Sequence, residues 1–99
     1  MERRKQTRYP LTCDVDAVPP SVGDQQTLNP QTVRGRIVNV SAGGACMLGE
    51  RSVEPLTVLP CRFHFPSVPV PVPVLMQVRW TEPVPSRHGM CRIGLSFIT

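Results

Sequence analysis

Apolar side chains recur at every second position in four separate stretches of this chain, and that period narrows its fold more than any other feature. Leu11, Cys13, Val15 and Ala17 alternate with Thr12, Asp14 and Asp16. Leu59, Cys61, Phe63 and Phe65 alternate with Arg62 and His64. Val72, Val74, Met76, Val78 and Trp80 form a third such row, and Cys91, Ile93, Leu95 and Phe97 a fourth. A two-residue period places one apolar face on each segment and marks half-buried strands. TVRGRIVNVS adds a strand that stops at the turn Ala42-Gly43-Gly44, and ACML adds a short one after it. No segment keeps a 3.6-residue period, and 12 prolines oppose long helices.

Six short antiparallel strands with one apolar face each bury that face by curling. The expected fold is therefore all-β, a small six-stranded antiparallel β-barrel with a flexible N-terminal arm. At 99 residues the chain makes one domain, divided here into an arginine-rich arm over 1–9 and a barrel over 10–99. PPSVGDQQTLNPQ reads as a long polar loop and ERSVEP as a connection. The repeat PSVPVPVPV suggests polyproline, but its register runs unbroken into MQVRW. It is therefore read as the start of one long strand, lying at a sheet edge or projecting as a hairpin, because proline donates no ladder bond.

The net charge is +4, and Arg3, Arg4, Lys5 and Arg8, set against Glu2, supply three of those charges within residues 2–8. So local a charge favours a small anionic partner over a nucleic acid polymer. A nucleic-acid-binding barrel would also need exposed aromatics along one surface. Only five aromatics are present, and Phe63, Phe65, Trp80 and Phe97 are assigned inward. No apolar run is long enough for a membrane span, and no apolar region follows the basic N-terminus as in a secretory signal. A cytoplasmic location is expected.

Cys13, Cys46, Cys61 and Cys91 are spread without metal-ligand spacing and read as small buried hydrophobes, with no metal site. His64 and His88 lack an acid or nucleophile at a recognisable spacing, and no phosphate-binding glycine motif is present. Neither a catalytic residue nor a cofactor is expected.

Two segments rise above this background. In Arg4-Lys5-Gln6-Thr7-Arg8, two guanidiniums four positions apart lead into a strand. Each offers a planar donor fork suited to phosphate or to the O6/N7 edge of guanine. A solvated basic tail is the plainer account of this segment taken alone. In Asn39-Val40-Ser41-Ala42-Gly43-Gly44, Asn39 and Ser41 share one face, opposite Val38 and Val40, at a strand end beside a Gly-Gly turn. There the backbone can take positive φ and admit a ligand closely. Asn can satisfy donor and acceptor groups of a base, whereas a turn that merely stabilises a hairpin explains the same residues without a ligand.

Taken together, the two segments resemble the PilZ domain family, marked by RxxxR just before the first strand and by [D/N]xSxxG some tens of residues later. Arg4 and Arg8 match the first motif, and Asn39, Ser41 and Gly44 the second. Pro10 at the first strand and Ile93-Gly94-Leu95-Ser96-Phe97 at the last extend the resemblance over nearly the whole chain.

The resemblance implies a non-enzymatic sensor of the bacterial second messenger cyclic di-GMP. Arg4 and Arg8 would contact phosphates and guanine, Asn39 and Ser41 would hydrogen-bond a guanine, and Gly44 would permit the turn. Arg3 and Gly43 stand beside these positions as further candidates. The arm would be mobile without ligand and clamp it against the barrel exterior when bound. Arg62, Arg79 and Arg92, on outward faces, are candidates to rim the site. Asn39 takes the place of the more frequent Asp, and the chain stops where the family often continues into a helix. A protein effector partner would carry the output. The alternative is a PilZ-like interaction module that binds no nucleotide and uses its strand edges or the V-P segment to contact a protein.

Overall fold

The computed structural model describes residues 7–19 and 32–98. Six strands follow in chain order: β1 (Tyr9–Ala17), β2 (Val33–Val40), β3 (Gly44–Gly49), β4 (Val58–His64), β5 (Val72–Pro83) and β6 (Cys91–Phe97). All pair antiparallel and close into a barrel in the order β1-β2-β3-β6-β5-β4, with β4 returning to β1. The expected all-β barrel is thus the observed architecture. β1 begins at Tyr9, one residue inside the stretch expected as an arm. Arg3, Arg4 and most of the loop expected between Pro19 and Thr32 lie outside the described residues.

The alternating residues build the interior. Cys13, Val15 and Ala17 on β1 meet Ile37, Met47, Leu59, Cys61, Phe63, Met76, Val78, Ile93 and Leu95 in one cluster. Burying a large aliphatic side chain contributes about 1.5–3 kcal/mol, so this shared interior is what holds the six strands closed. Val72, Val74, Cys91 and Phe97 are only half-buried, at the rims.

The V-P repeat departs from expectation in its first half. β5 starts at Val72, and residues 66–71 form turns and bends outside it. Pro73 does lie in the strand, opposite Arg62. The Leu75 carbonyl accepts from the Ile98 N–H, so the peptide groups of Leu75, and of Pro73 two residues earlier, face the β6 side. The last paired residue of β6, Phe97, sits opposite Met76. At Pro73 no strand among the described residues lies on that side, so the missing N–H deprives none of them of a partner.

Three register shifts interrupt the ladders: between Pro10 and Cys13 on β1, between Ile37 and Asn39 on β2, and between Val78 and Trp80 on β5. An extra residue in one strand of a pair reverses the inward-outward phase beyond it. The shifts on β2 and β5 decide which side chains reach the outer surface.

Candidate functional site

On β2, Ile37 is fully buried, and strict alternation would send Asn39 inward after it. One extra residue relative to β3 intervenes, because Ile37 pairs with Met47 whereas Asn39 pairs with Cys46. Val40, not Asn39, then packs against the interior, and Asn39 is turned outward as expected. The pairing of Tyr9 with Val40 and of Pro10 with Asn39 carries the chain past the same point. Arg8 Nη1 donates to Asn39 Oδ1 at 2.6 Å. The barrel therefore provides a seat for Arg8.

The following turn is held by its own polar groups. The Ser41 N–H donates to the Gly44 carbonyl at 2.8 Å, and the Gly43 N–H to Ser41 Oγ at 3.3 Å. The Phe97 N–H donates to the Gly43 carbonyl at 2.9 Å, tying the turn to β6. Ser41 is 9% exposed, the buried polar residue among those described. Gly44 does not serve as anticipated. The positive-φ glycine among the described residues is Gly89, not Gly44. A Cβ on Gly44 would come within 1.9 Å of the Leu95 carbonyl oxygen. Glycine is required there because β3 and β6 approach too closely for a side chain.

The opposite wall corrects a second expectation. Trp80 was assigned inward with Val78, but it is 42% exposed. Val78 pairs with Leu95 and Trp80 with Gly94, so Arg79 is an extra residue that turns the indole outward. The ring lies over Gly94, where a Cβ would stand 2.2 Å from its Cε2. Asn39 on β2, Cys46 on β3, Gly94 on β6 and Trp80 on β5 thus form one outward row across four strands. Over this row runs a groove of about 340 Å³ lined by Arg8, Ser41, Cys46, Arg79, Trp80 and Ser96, with Gly43 and Gly44 at the turn. Two guanidiniums, a hydroxyl-bearing turn and an indole face therefore converge, a set able to hold an anion and stack a planar base.

A family model of the PilZ domain matches residues 2–99. The chain belongs to the PilZ family. No curated protein matches it. PilZ domains are binding and adaptor modules, and the groove lies on the barrel exterior, where Arg8 meets Asn39 and the turn that follows it.

Within this PilZ barrel the other outward arginines divide. Arg79 lines the groove. Arg92 donates to Glu82 at 2.9 Å, and Arg62 to Asp16 at 3.0 Å, so neither is brought to it as a groove-lining residue. A larger hollow of about 680 Å³ lies elsewhere, bordered by Asp14, Asp16 and Glu50 and by Arg34, Arg36 and Arg87, with His64 beside them. Its charges are largely matched: Arg36 pairs with Asp14 at 3.2 Å, and His64 Nε2 lies 3.0 Å from Asp16 Oδ2. Burial pushes the Asp16 carboxyl up, but hydrogen bonds and charge from Arg62 and His64 outweigh it and hold the group below the ordinary carboxylate range. The balanced charge makes this hollow a poorer anion site than the smaller groove.

Among the described residues no cluster of His, Cys, Asp and Glu can hold a metal, and no helix is long and apolar enough to cross a membrane. All four cysteines are free. Burial raises the Cys61 thiol to about 12. At Cys46 burial also wins, although Arg92 and Arg8 pull the other way.

Ala45, Cys46, Trp80, Gly94, Leu95 and Ser96 are the groove residues that sequence reasoning did not assign to the site. The available signal was Gly94, a residue without a side chain between the buried Ile93 and Leu95. A glycine inside a strand often marks the close approach of another group.

Proposed function

We propose that this PilZ domain is a cyclic di-GMP-binding sensor or adaptor without catalytic activity, acting in the bacterial cytoplasm and passing the signal to a protein partner. The observation that carries the reading is the convergence of Arg8, seated on Asn39, with Ser41, Arg79 and Trp80 on one exterior groove. The ligand is a dianion with two planar guanines. Cationic forks supply affinity for its phosphates, and an aromatic face supplies stacking for a base. Ser41 and Gly43 hold the turn beneath it, Gly44 lets β3 and β6 approach there, and Arg3 and Arg4, outside the described residues, are proposed as further phosphate contacts.

Trp80 is the chain's one tryptophan, so its emission reports directly on the groove. Titration with cyclic di-GMP should change Trp80 fluorescence and release or absorb heat in parallel, with cyclic di-AMP as control. Replacing Arg8 by Ala removes charge-assisted bonds worth roughly 1.5–3 kcal/mol each, so affinity should fall about 10- to 100-fold. A folded protein showing neither signal at tens of micromolar ligand would refute the proposal.

A nucleotide-independent interaction module is the second reading, favoured by one observation. Val58, Leu75 and Ile98, with Leu56 and Val70, leave large apolar side chains exposed around β4 and β5. A partner captured equally well with and without nucleotide would support it.

A further inference from the structure

We infer that the outer face of β4 and the start of β5, centred on Leu56, is a self-complementary surface that pairs two copies of this chain. Pairing through this face needs no nucleotide in the groove.

A residue type out of place marks the surface. Glu54-Pro55-Leu56-Thr57 is a β-turn closed by the Thr57 N–H, which donates to the Glu54 carbonyl at 3.3 Å. Pro55 cannot take a positive φ and Leu56 has a φ of 75°, so the turn is type II, whose third position calls for Gly or Asn. Leucine strains the backbone there, because its Cβ crowds the following carbonyl. The conformation is imposed from β5. The Leu56 N–H donates to the Val78 carbonyl at 2.7 Å, and Gln77 Nε2 donates to the Leu56 carbonyl at 3.2 Å. No burial offsets the strain, since Leu56 is 69% exposed, the most of any large apolar residue described. A strained position that presents a leucine to solvent points to a contact outside the fold.

The surroundings extend that contact. Val58 and Pro60 face outward on β4, Leu75 lies opposite Pro60 on β5, and Ile98 donates its N–H to the Leu75 carbonyl. All four are exposed. With Leu56 they make on the order of 400 Å² of apolar surface, the size of the functional patches found on monomeric proteins. Two such faces in contact, with a polar rim around them, reach about 1,200 Å² in total, the lower end of specific interfaces.

The charges select a second copy over a different partner. Glu54 lies two residues ahead of Leu56, and Arg79 follows Val78, whose carbonyl holds the Leu56 N–H. Both are exposed, and neither forms an ion pair among the described residues. An acid and a base beside one apolar anchor suit a two-fold interface, in which residue i meets j and j meets i. Glu54 of each copy thereby reaches Arg79 of the other.

Sedimentation equilibrium without nucleotide tests the pairing. The weight-average mass should rise from one chain toward two, with a Kd of roughly 10–100 µM for an interface of this size. Leu56→Asn, a residue suited to the turn, should raise Kd by about tenfold or more. Its Tm, taken at a few micromolar where the chain is monomeric, should be unchanged or higher. Leu75→Ser should weaken the pair in the same way. Glu54→Arg and Arg79→Glu should each weaken it, and the double variant should restore it to within about threefold of the unmodified protein.

A protein still monomeric at about 300 µM, several times the expected Kd, would overturn the inference and leave this face to a different partner. Dimers indifferent to Leu56→Asn and Leu75→Ser would do the same, as would a double charge variant no better than the single ones. A Tm lowered by several degrees in Leu56→Asn would show that the leucine serves its own fold, and would equally overturn it.

Discussion

The indole of Trp80 rests on a bare backbone, and filling that space tests the geometry of the groove directly. A methyl group at Gly94 would stand 2.2 Å from Trp80 Cε2, 2.3 Å from Nε1 and 2.7 Å from Cζ2. Bringing the nearest of these to an ordinary contact of 3.4 Å requires the ring to retreat by about 1.2 Å. Complete displacement would expose on the order of 150 Å² of indole, about 3–4 kcal/mol at 25 cal/mol per Å², which is an upper bound. A retreat of this size is closer to overpacking, so Gly94→Ala should destabilise by about 1–2 kcal/mol. In a domain of this size that corresponds to a drop of roughly 4–16 °C in Tm. Urea unfolding followed by circular dichroism gives the stability, and the native emission maximum should shift to the red as the ring gains solvent. The sign of the effect should reverse in a Trp80→Ala background. There the new methyl meets no ring, and alanine exceeds glycine in a strand interior by roughly 0.5–1 kcal/mol. If Gly94→Ala were equally destabilising with and without the indole, the ring would not be what occupies the space over Gly94.

Three further outcomes follow from the barrel. The Thr81 hydroxyl is buried without a hydrogen-bond partner among the described residues, so the near-isosteric Thr81→Val should raise stability by about 1–2 kcal/mol in urea unfolding. Asp16 is held below its ordinary pKa in the fold, so its contribution is complete above the unfolded carboxylate range and is lost as the pH falls from that range through the lower folded value. The stability gap between the unmodified protein and Asp16→Asn, measured between about pH 7 and pH 3, should therefore shrink with acid; a gap that widened would reverse the assignment. Iodoacetamide under native conditions should label half-buried Cys91 ahead of Cys13, Cys46 and Cys61, whose thiols burial pushes upward, as peptide mass spectrometry would show.

Much of this was legible in the sequence, and the reason is uneven across the chain. Alternation identified Val15, Leu59, Phe63, Met76 and Ile93 as interior because a strand in phase has two faces and one of them must be apolar. The pair Arg8 and Asn39 was anticipated as one site, and the structure joins them by a hydrogen bond. Trp80 was misassigned because a hydrophobicity pattern records residue type but not an extra residue in a ladder. The role of Gly44 was misread for a related reason. Closeness of β3 to β6 is a property of two strands far apart in sequence, and a glycine shows only that something needs the room.

Trp80, which escaped the pattern, and Asn39, which seats Arg8, both reach the outer surface through a break in the alternation. A barrel whose strands stayed in phase would give its outer face the polar leftovers of each strand. Asn39 would then fall inward beside Ile37, leaving an amide in the core at a cost of about 1–3 kcal/mol, and Trp80 would compete with Val78 for the interior. One extra residue on β2 and one on β5 move both to the outside, at either end of the row that crosses Cys46 and Gly94. Each irregularity disrupts its ladder locally, and the offset comes from seating Arg8 on one side and the indole over Gly94 on the other. The bulges on β2 and β5 thus shape the candidate groove, and the phase break in MQVRWTEP contributes to it as directly as Arg8 does.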